Sequence, residues 1–137
     1  MGVTKPRTTY LLDTHVLLWL LGQPDRISPA VLEELEDRRN RLLVSAASAM
    51  EVATKARLSR LPGAEGLVTS WERRIEELGA QELPISSAHA LHAGEMAWEH
   101  RDPFDRLLVA QALAENTVLV TVDREILALP GVRPLTW

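Results

Sequence analysis

The 137-residue chain has no cysteine, which excludes a disulfide framework and thiolate chemistry and fits a reducing compartment. Positive charge is not in excess either. Fifteen Lys and Arg against nineteen Asp and Glu give a net charge of -4 and an isoelectric point near 5.6. A constitutively nucleic-acid-coated surface needs a basic field, so that class is excluded; a nuclease whose own site is acidic is not. Long apolar runs are missing. The longest, Val16 to Leu21, is too short to span a bilayer, and Met1 to Thr9 holds no signal-peptide core. A soluble, intracellular protein with no membrane partner is expected. Repeats, low-complexity segments and internal linkers are absent as well. What remains is 46% hydrophobic content, enough for one sizeable core. One domain over residues 1–137 is expected, with 1–8 as a flexible basic tail.

Tyr10, Leu11 and Leu12 form a short apolar run ending at Asp13, as a buried strand would. Thr14 to Leu21 reads as a helix stopped by Gly22 and Pro24. Ser28 as N-cap and Pro29 as first residue open a helix to about Asp37. Leu42 to Val44 is a second strand, followed by a helix from Ala46 to about Leu58. Pro62 and Gly63 turn into a helix over Gly66 to Leu78, which Gly79 ends. A third strand is expected at Leu83 to Ile85. Ser86 or Ser87 then caps a helix carrying Leu91, Met96 and Trp98. A nearly apolar helix, Phe104 to Ala114, leads through Glu115, Asn116 and Thr117 into a strand from Val118 to Val122. A short helix, Arg124 to Leu129, and an edge strand near Val132 to Leu135 close the chain. Strands alternating with helices predict an α/β fold with a mostly parallel central sheet of four or five strands, covered on both faces.

In a parallel sheet every strand C-terminus lies on one edge, and ligands bind in the crevice outside it. Asp13 ends the first strand and Asp123 the fourth. Asp105 lies in the first turn of the helix leading into that fourth strand, and Glu51 in the second turn of the helix after strand two. Four acids far apart in sequence can thus converge on one rim. Clustered carboxylates repel unless a divalent cation or protonation relieves them. Oxygen-only ligands favour Mg2+ or Mn2+ over zinc. Each acid also has a plainer role. Asp13, Asp123 and Asp102 can be helix caps, Asp105 sits where the helix dipole favours negative charge, Ser48 to Glu51 fits a capping box, and Glu51 with Lys55 can be a surface ion pair. Caps do not explain why all these helices start on one side of the sheet. His89, His92 and Glu95 have helical metal spacing, but nothing nearby completes a zinc shell. His15 is as ready to pack as to act. Arg38 to Arg41 reads as a solvated turn, and Trp71 and Trp98 read as core.

Tyr10 to His15, then Val44 to Ser48 with Glu51, then HRDPFDRLLVAQA from His100 to Ala112 and LVTVD from Leu119 to Asp123, resemble the PIN-domain ribonucleases. The likeness is closest to VapC-type toxins of bacterial toxin-antitoxin pairs and covers nearly the whole chain in order. It implies a three-layer α/β/α fold and a metal-dependent endoribonuclease. Asp13, Glu51, Asp105 and Asp123 would be the catalytic, metal-holding acids, with Thr121 and Ser48 supporting them and Asp102 one step further out. It also implies an RNA substrate, a homodimer, a VapB-type antitoxin and a place in the bacterial cytoplasm. Met50 stands where relatives often carry tryptophan, and Val122 where a basic residue is common. Lys55, Arg57, Arg60, Arg106 and Arg124 are the candidates to neutralise RNA phosphates. A phosphoacceptor receiver domain fits worse. It needs an acidic pair at strand one and a late lysine, and Lys55 is the last lysine here. A non-catalytic RNA- or protein-binding module is the alternative; it predicts loss of a ligand, yet all four positions are acids.

Overall fold

The computed structural model of the chain describes residues 6–137. Its sheet has five parallel strands in the order β3-β2-β1-β4-β5: β1 (Thr9–Leu12), β2 (Arg41–Ser45), β3 (Ala80–Leu83), β4 (Val118–Val120) and β5 (Pro134–Leu135). Around it lie α1 (Thr14–Gly22), α2 (Pro29–Glu36), α3 (Ala46–Arg57), α4 (Ala64–Thr69), α5 (Trp71–Glu77), α6 (Ser87–Glu95), α7 (Pro103–Ala114) and α8 (Arg124–Leu127). The result is a three-layer α/β/α fold. The expected flexible tail falls mostly outside the described residues. Thr8, at its end, is already held: its N–H donates to Asn40 Oδ1 at 3.2 Å, and its carbonyl accepts from Arg41 at 2.8 Å.

The period-two alternation of a strand splits the core into two layers. Tyr10, Leu12, Leu42, Val44 and Val120 face one side, against Val16 and Leu17 of α1, Val31 and Leu35 of α2 and Ile75 of α5. Leu11, Leu43 and Leu119 face the other, against Leu108, Val109 and Ala112 of α7 and Ile126 of α8. A third group, Val52, Ala64 and Leu67, packs α3 and α4 under Leu18 and Leu21 of α1. The strand order reverses at β1 and β4, so the helices leaving and entering that pair lie on opposite faces. In open α/β sheets such a switch point is where ligands bind, outside the strand C-termini.

Five local expectations are corrected. The helix over Gly66 to Leu78 is two helices broken at Ser70. There the Ser70 hydroxyl donates to Gly66 O at 2.6 Å and the Thr69 hydroxyl to Gly66 O at 3.1 Å, taking carbonyl capacity that a continuous helix would use. The third strand lies over Ala80–Leu83 rather than Leu83 to Ile85. It follows Gly79, whose φ of +76 turns the chain sharply, and stops before Pro84, which lacks an N–H for the ladder. The fourth strand ends at Val120 and the fifth is confined to Pro134–Leu135. Leu91 is exposed, and Met96 and Trp98 lie beyond the end of α6, packed against the α7-side core.

Candidate metal centre

Strand register assembles the rim. Leu12 pairs with Val44 on one side and Val120 on the other, and Asp13 N–H donates to Val120 O at 3.0 Å. Asp13 and Thr121 therefore follow the last paired residues of β1 and β4, level with Ser45 at the end of β2. Asp13 occupies the N-cap position of α1 but makes no side-chain cap hydrogen bond. Its Oδ2 instead accepts from Thr121 Oγ1 at 2.7 Å, and the same Thr121 oxygen accepts from Asp123 N–H at 3.0 Å. One threonine thus ties the acid ending β1 to the acid following β4. Asp123 caps α8 through Oδ1 alone, accepting from Glu125 N–H at 2.8 Å and Ile126 N–H at 3.4 Å.

The capping box expected at Ser48 is not formed. Ser45 caps α3, accepting from Ala47 N–H at 2.9 Å, so Ser48 and Glu51 fall on the inner face of the helix. Ser48 Oγ is buried and shares a 2.8 Å hydrogen bond with Thr14 Oγ1, joining the first turns of α3 and α1. The expected ion pair does form, with Lys55 Nζ 2.7 Å from Glu51 Oε2. Yet Glu51 is only 5% exposed, so this is no free surface pair. Asp105, at the third position of α7, is also buried and shares a 2.7 Å hydrogen bond between its Oδ2 and His100 Nε2. Asp102 is a helix cap, accepting at Oδ1 from Phe104 N–H and Asp105 N–H at 2.9 and 3.3 Å.

Burial sets the electrostatics. It pushes the Asp105 carboxyl up to about 7; the His100 hydrogen bond pulls it down, while the charges of Asp102, Asp13 and Asp123 push it higher. Burial also raises Asp13, opposed by the Thr121 bond and by His15 and reinforced by Glu51 and Asp123. Asp13 thus feels the charges of Glu51 and Asp123, and Asp105 those of Asp102, Asp13 and Asp123. His100 is raised in turn, chiefly by its hydrogen bond to Asp105. Hard oxygen donors, buried and mutually repelling, are the donor set that a divalent cation such as Mg2+ relieves.

His100 is the residue that sequence reasoning missed. Its ring nitrogen lies with Asp102 and Asp105 in a group whose ligand atoms fall within 4.8 Å of one another. Arg106, expected to face phosphate, is spent on main-chain carbonyls. It donates to Ala93 O at 2.8 Å, Trp98 O at 2.6 Å, Met96 O at 2.8 Å and His100 O at 3.0 Å. Arg57, Arg60 and Arg124 are exposed, and Lys55 is half-buried on Glu51. His89 belongs to a capping box: Ser86 N–H donates to His89 Nδ1 at 3.0 Å and His89 N–H to Ser86 Oγ at 3.1 Å. Arg39 pairs with Asp37 and Arg41 with Gln81, at the N-terminal edge of the sheet and away from the acids.

The sequence profile of the PIN domain matches residues 10–132. The chain belongs to the PIN-domain family. Within it, the chain is 34% identical over 133 residues to Ribonuclease VapC22 of Mycobacterium tuberculosis, covering 94% of this chain and 98% of that one. This PIN fold is also that of VapBC2 from Rickettsia felis, solved bound to a promoter DNA fragment, at TM-score 0.71 and 19% identity, over 95% of this chain and 99% of that one. DNA-bound VapBC from Salmonella typhimurium matches at TM-score 0.71 and 20% identity, over 95% and 98% of the two chains. No helix among the described residues of this PIN domain is long and apolar enough to cross a membrane.

Proposed function

We propose that this chain is a VapC-type toxin, an endoribonuclease dependent on Mg2+ or Mn2+ and held inactive by a VapB-type antitoxin. The observation that carries the proposal is the burial of Asp13, Glu51 and Asp105 beside Asp123 in a chain 34% identical to a ribonuclease over most of its length. A buried carboxylate cluster balanced, among the described residues, by little more than Lys55, His100 and His15 would be hard to retain for stability alone. Asp13, Glu51, Asp105 and Asp123 would hold the ion. When bound, such an ion lowers the pKa of a water for attack on phosphorus and compensates charge on the phosphate and leaving oxygen.

The chain's own groups prepare that site. Thr121 fixes the Asp13 carboxylate, the Ser48–Thr14 bond sets the distance between α1 and α3, and Lys55 neutralises Glu51 until a cation takes over. Lys55, Arg57, Arg60 and Arg124 would then meet RNA phosphates along the rim, as point charges that position without reading sequence. The likeness of this fold to VapBC complexes supports an antitoxin partner, and family membership supports a homodimer in the bacterial cytoplasm. The test is cleavage of RNA by the purified chain with Mg2+ or Mn2+ against a chelator. Asp105→Asn should lower the rate at least about 100-fold, the scale of losing a charge-stabilising group. A variant that cuts as fast as the parent would sink the site assignment.

A further inference from the structure

Between α6 and α7 the chain runs from Met96 to Asp102 without regular structure. A segment of this kind ordinarily follows its own thermal motion, because its carbonyls lack ladder partners. Here one side chain supplies them. Arg106, one residue beyond Asp105, spreads its guanidinium over the carbonyls of Ala93, Met96, Trp98 and His100, with Gly94 O at 3.5 Å. Five donors in a fixed planar fork match a tightly curled chain in a way lysine cannot. The His100 ring is held a second time, with its centroid 4.8 Å from that of Trp98 and a 38° tilt. Backbone and ring are thus both fixed, and Nε2 reaches Asp105 Oδ2 at 2.7 Å. Asp105 Oδ1 makes no hydrogen bond among the described residues.

We propose that His100 is a positioning residue for the metal-binding carboxylate of Asp105, delivered to it by the Arg106-clamped loop. The inference rests on the metal-site reading above. Nε2–H engages Oδ2, stops rotation of the carboxylate about its Cβ–Cγ bond, and leaves Oδ1 as the oxygen for a cation. Arg106 acts through His100 rather than on RNA. Hydrogen-bond partners behind a metal ligand commonly set affinity by 10- to 100-fold.

The experiment is calorimetric titration of the full chain with MnCl2. His100→Phe keeps a ring beside Trp98 but removes the donor, and should weaken Mn2+ binding by roughly 10- to 100-fold. His100→Gln restores an N–H near the Nε2 position and should stay within about threefold of the parent, a rescue that loop stability alone does not predict. Parent-like Mn2+ affinity in His100→Phe, or His100→Gln as weak as His100→Phe, overturns the proposal while leaving the metal site standing. Absence of any Mn2+ binding by the parent overturns the metal reading and this inference with it. Nitrogen NMR of the unsubstituted, Mg2+-saturated protein supplies a check that needs no variant. His100 should carry its proton at Nε2, and an unprotonated Nε2 contradicts the assigned role.

Discussion

Replacing Asp105 by asparagine should reverse the order of stability between parent and variant when a cation is added. Burial lifts the Asp105 carboxyl from 3.8 to about 7 in the folded chain. A folded pKa above the unfolded one contributes stability that is fully present below about pH 4 and is lost as pH rises through about 7. The rise corresponds to at most about 4 kcal/mol, which water at the open rim reduces to roughly half. In chelator at pH 8 the neutral asparagine escapes that cost. For a chain of 137 residues, about 2 kcal/mol corresponds to roughly 7 °C in Tm, so Asp105→Asn should melt higher than the parent by about that much. At pH 4 the two should nearly coincide. With Mn2+ at about 100 times its Kd the parent gains about 2.7 kcal/mol and should melt above the variant. That gain should itself grow from pH 5 to pH 8, because the proton on Asp105 must leave first. The assay is a thermal melt at several pH values, with chelator and with Mn2+. A variant that melts below the parent in chelator at pH 8 would refute the assignment of a buried, destabilising charge.

Thr121→Val removes the donor to Asp13 Oδ2 and the acceptor of Asp123 N–H. It should destabilise the protein by about 1–3 kcal/mol and weaken Mn2+ binding by about tenfold. Because the Thr121 bond lowers the Asp13 pKa, its loss should also move the onset of Mn2+ binding to higher pH, which calorimetry at pH 6, 7 and 8 would show. Arg106→Lys exchanges a five-donor fork for a point charge. A loss of about 2–4 kcal/mol in denaturant unfolding is expected, with proteolysis near Trp98 accelerated in the native state. Unchanged cleavage there would contradict the clamp.

The sheet was legible because its signals are local. Tyr10 to Leu12 and Leu42 to Val44 are apolar runs closed by Asp13 and by a helix start, and parallel strands buried on both faces carry that pattern. The meeting of Asp13 and Asp123 through Thr121 was legible in outline too, since strand-end positions in a parallel sheet share an edge. Elsewhere the deciding contacts are non-local. Ala80–Leu83 is an edge strand with Gln81 and Glu82 in solvent, so it shows no apolar period. The break at Ser70 depends on which carbonyl two hydroxyls choose. Ser48 was separable from a cap, because the helix start expected at Ala46 already places the cap at Ser45. His100 and Arg106, by contrast, failed because the loop between Met96 and Asp102 has no periodicity, and its path is set by a guanidinium whose partners are all main-chain oxygens. A charge read from sequence shows that Arg106 seeks an anion or a carbonyl, but not which.

The central claim, that these four acids hold a divalent cation, is tested most directly by anomalous X-ray diffraction from crystals of the parent chain grown with MnCl2. The account predicts manganese density among the carboxylates of Asp13, Glu51, Asp105 and Asp123, with Asp105 Oδ1 as a ligand and His100 Nε2 still bonded to Oδ2. No anomalous density there, or density bound by His100 and Asp102 apart from Asp13, would contradict it.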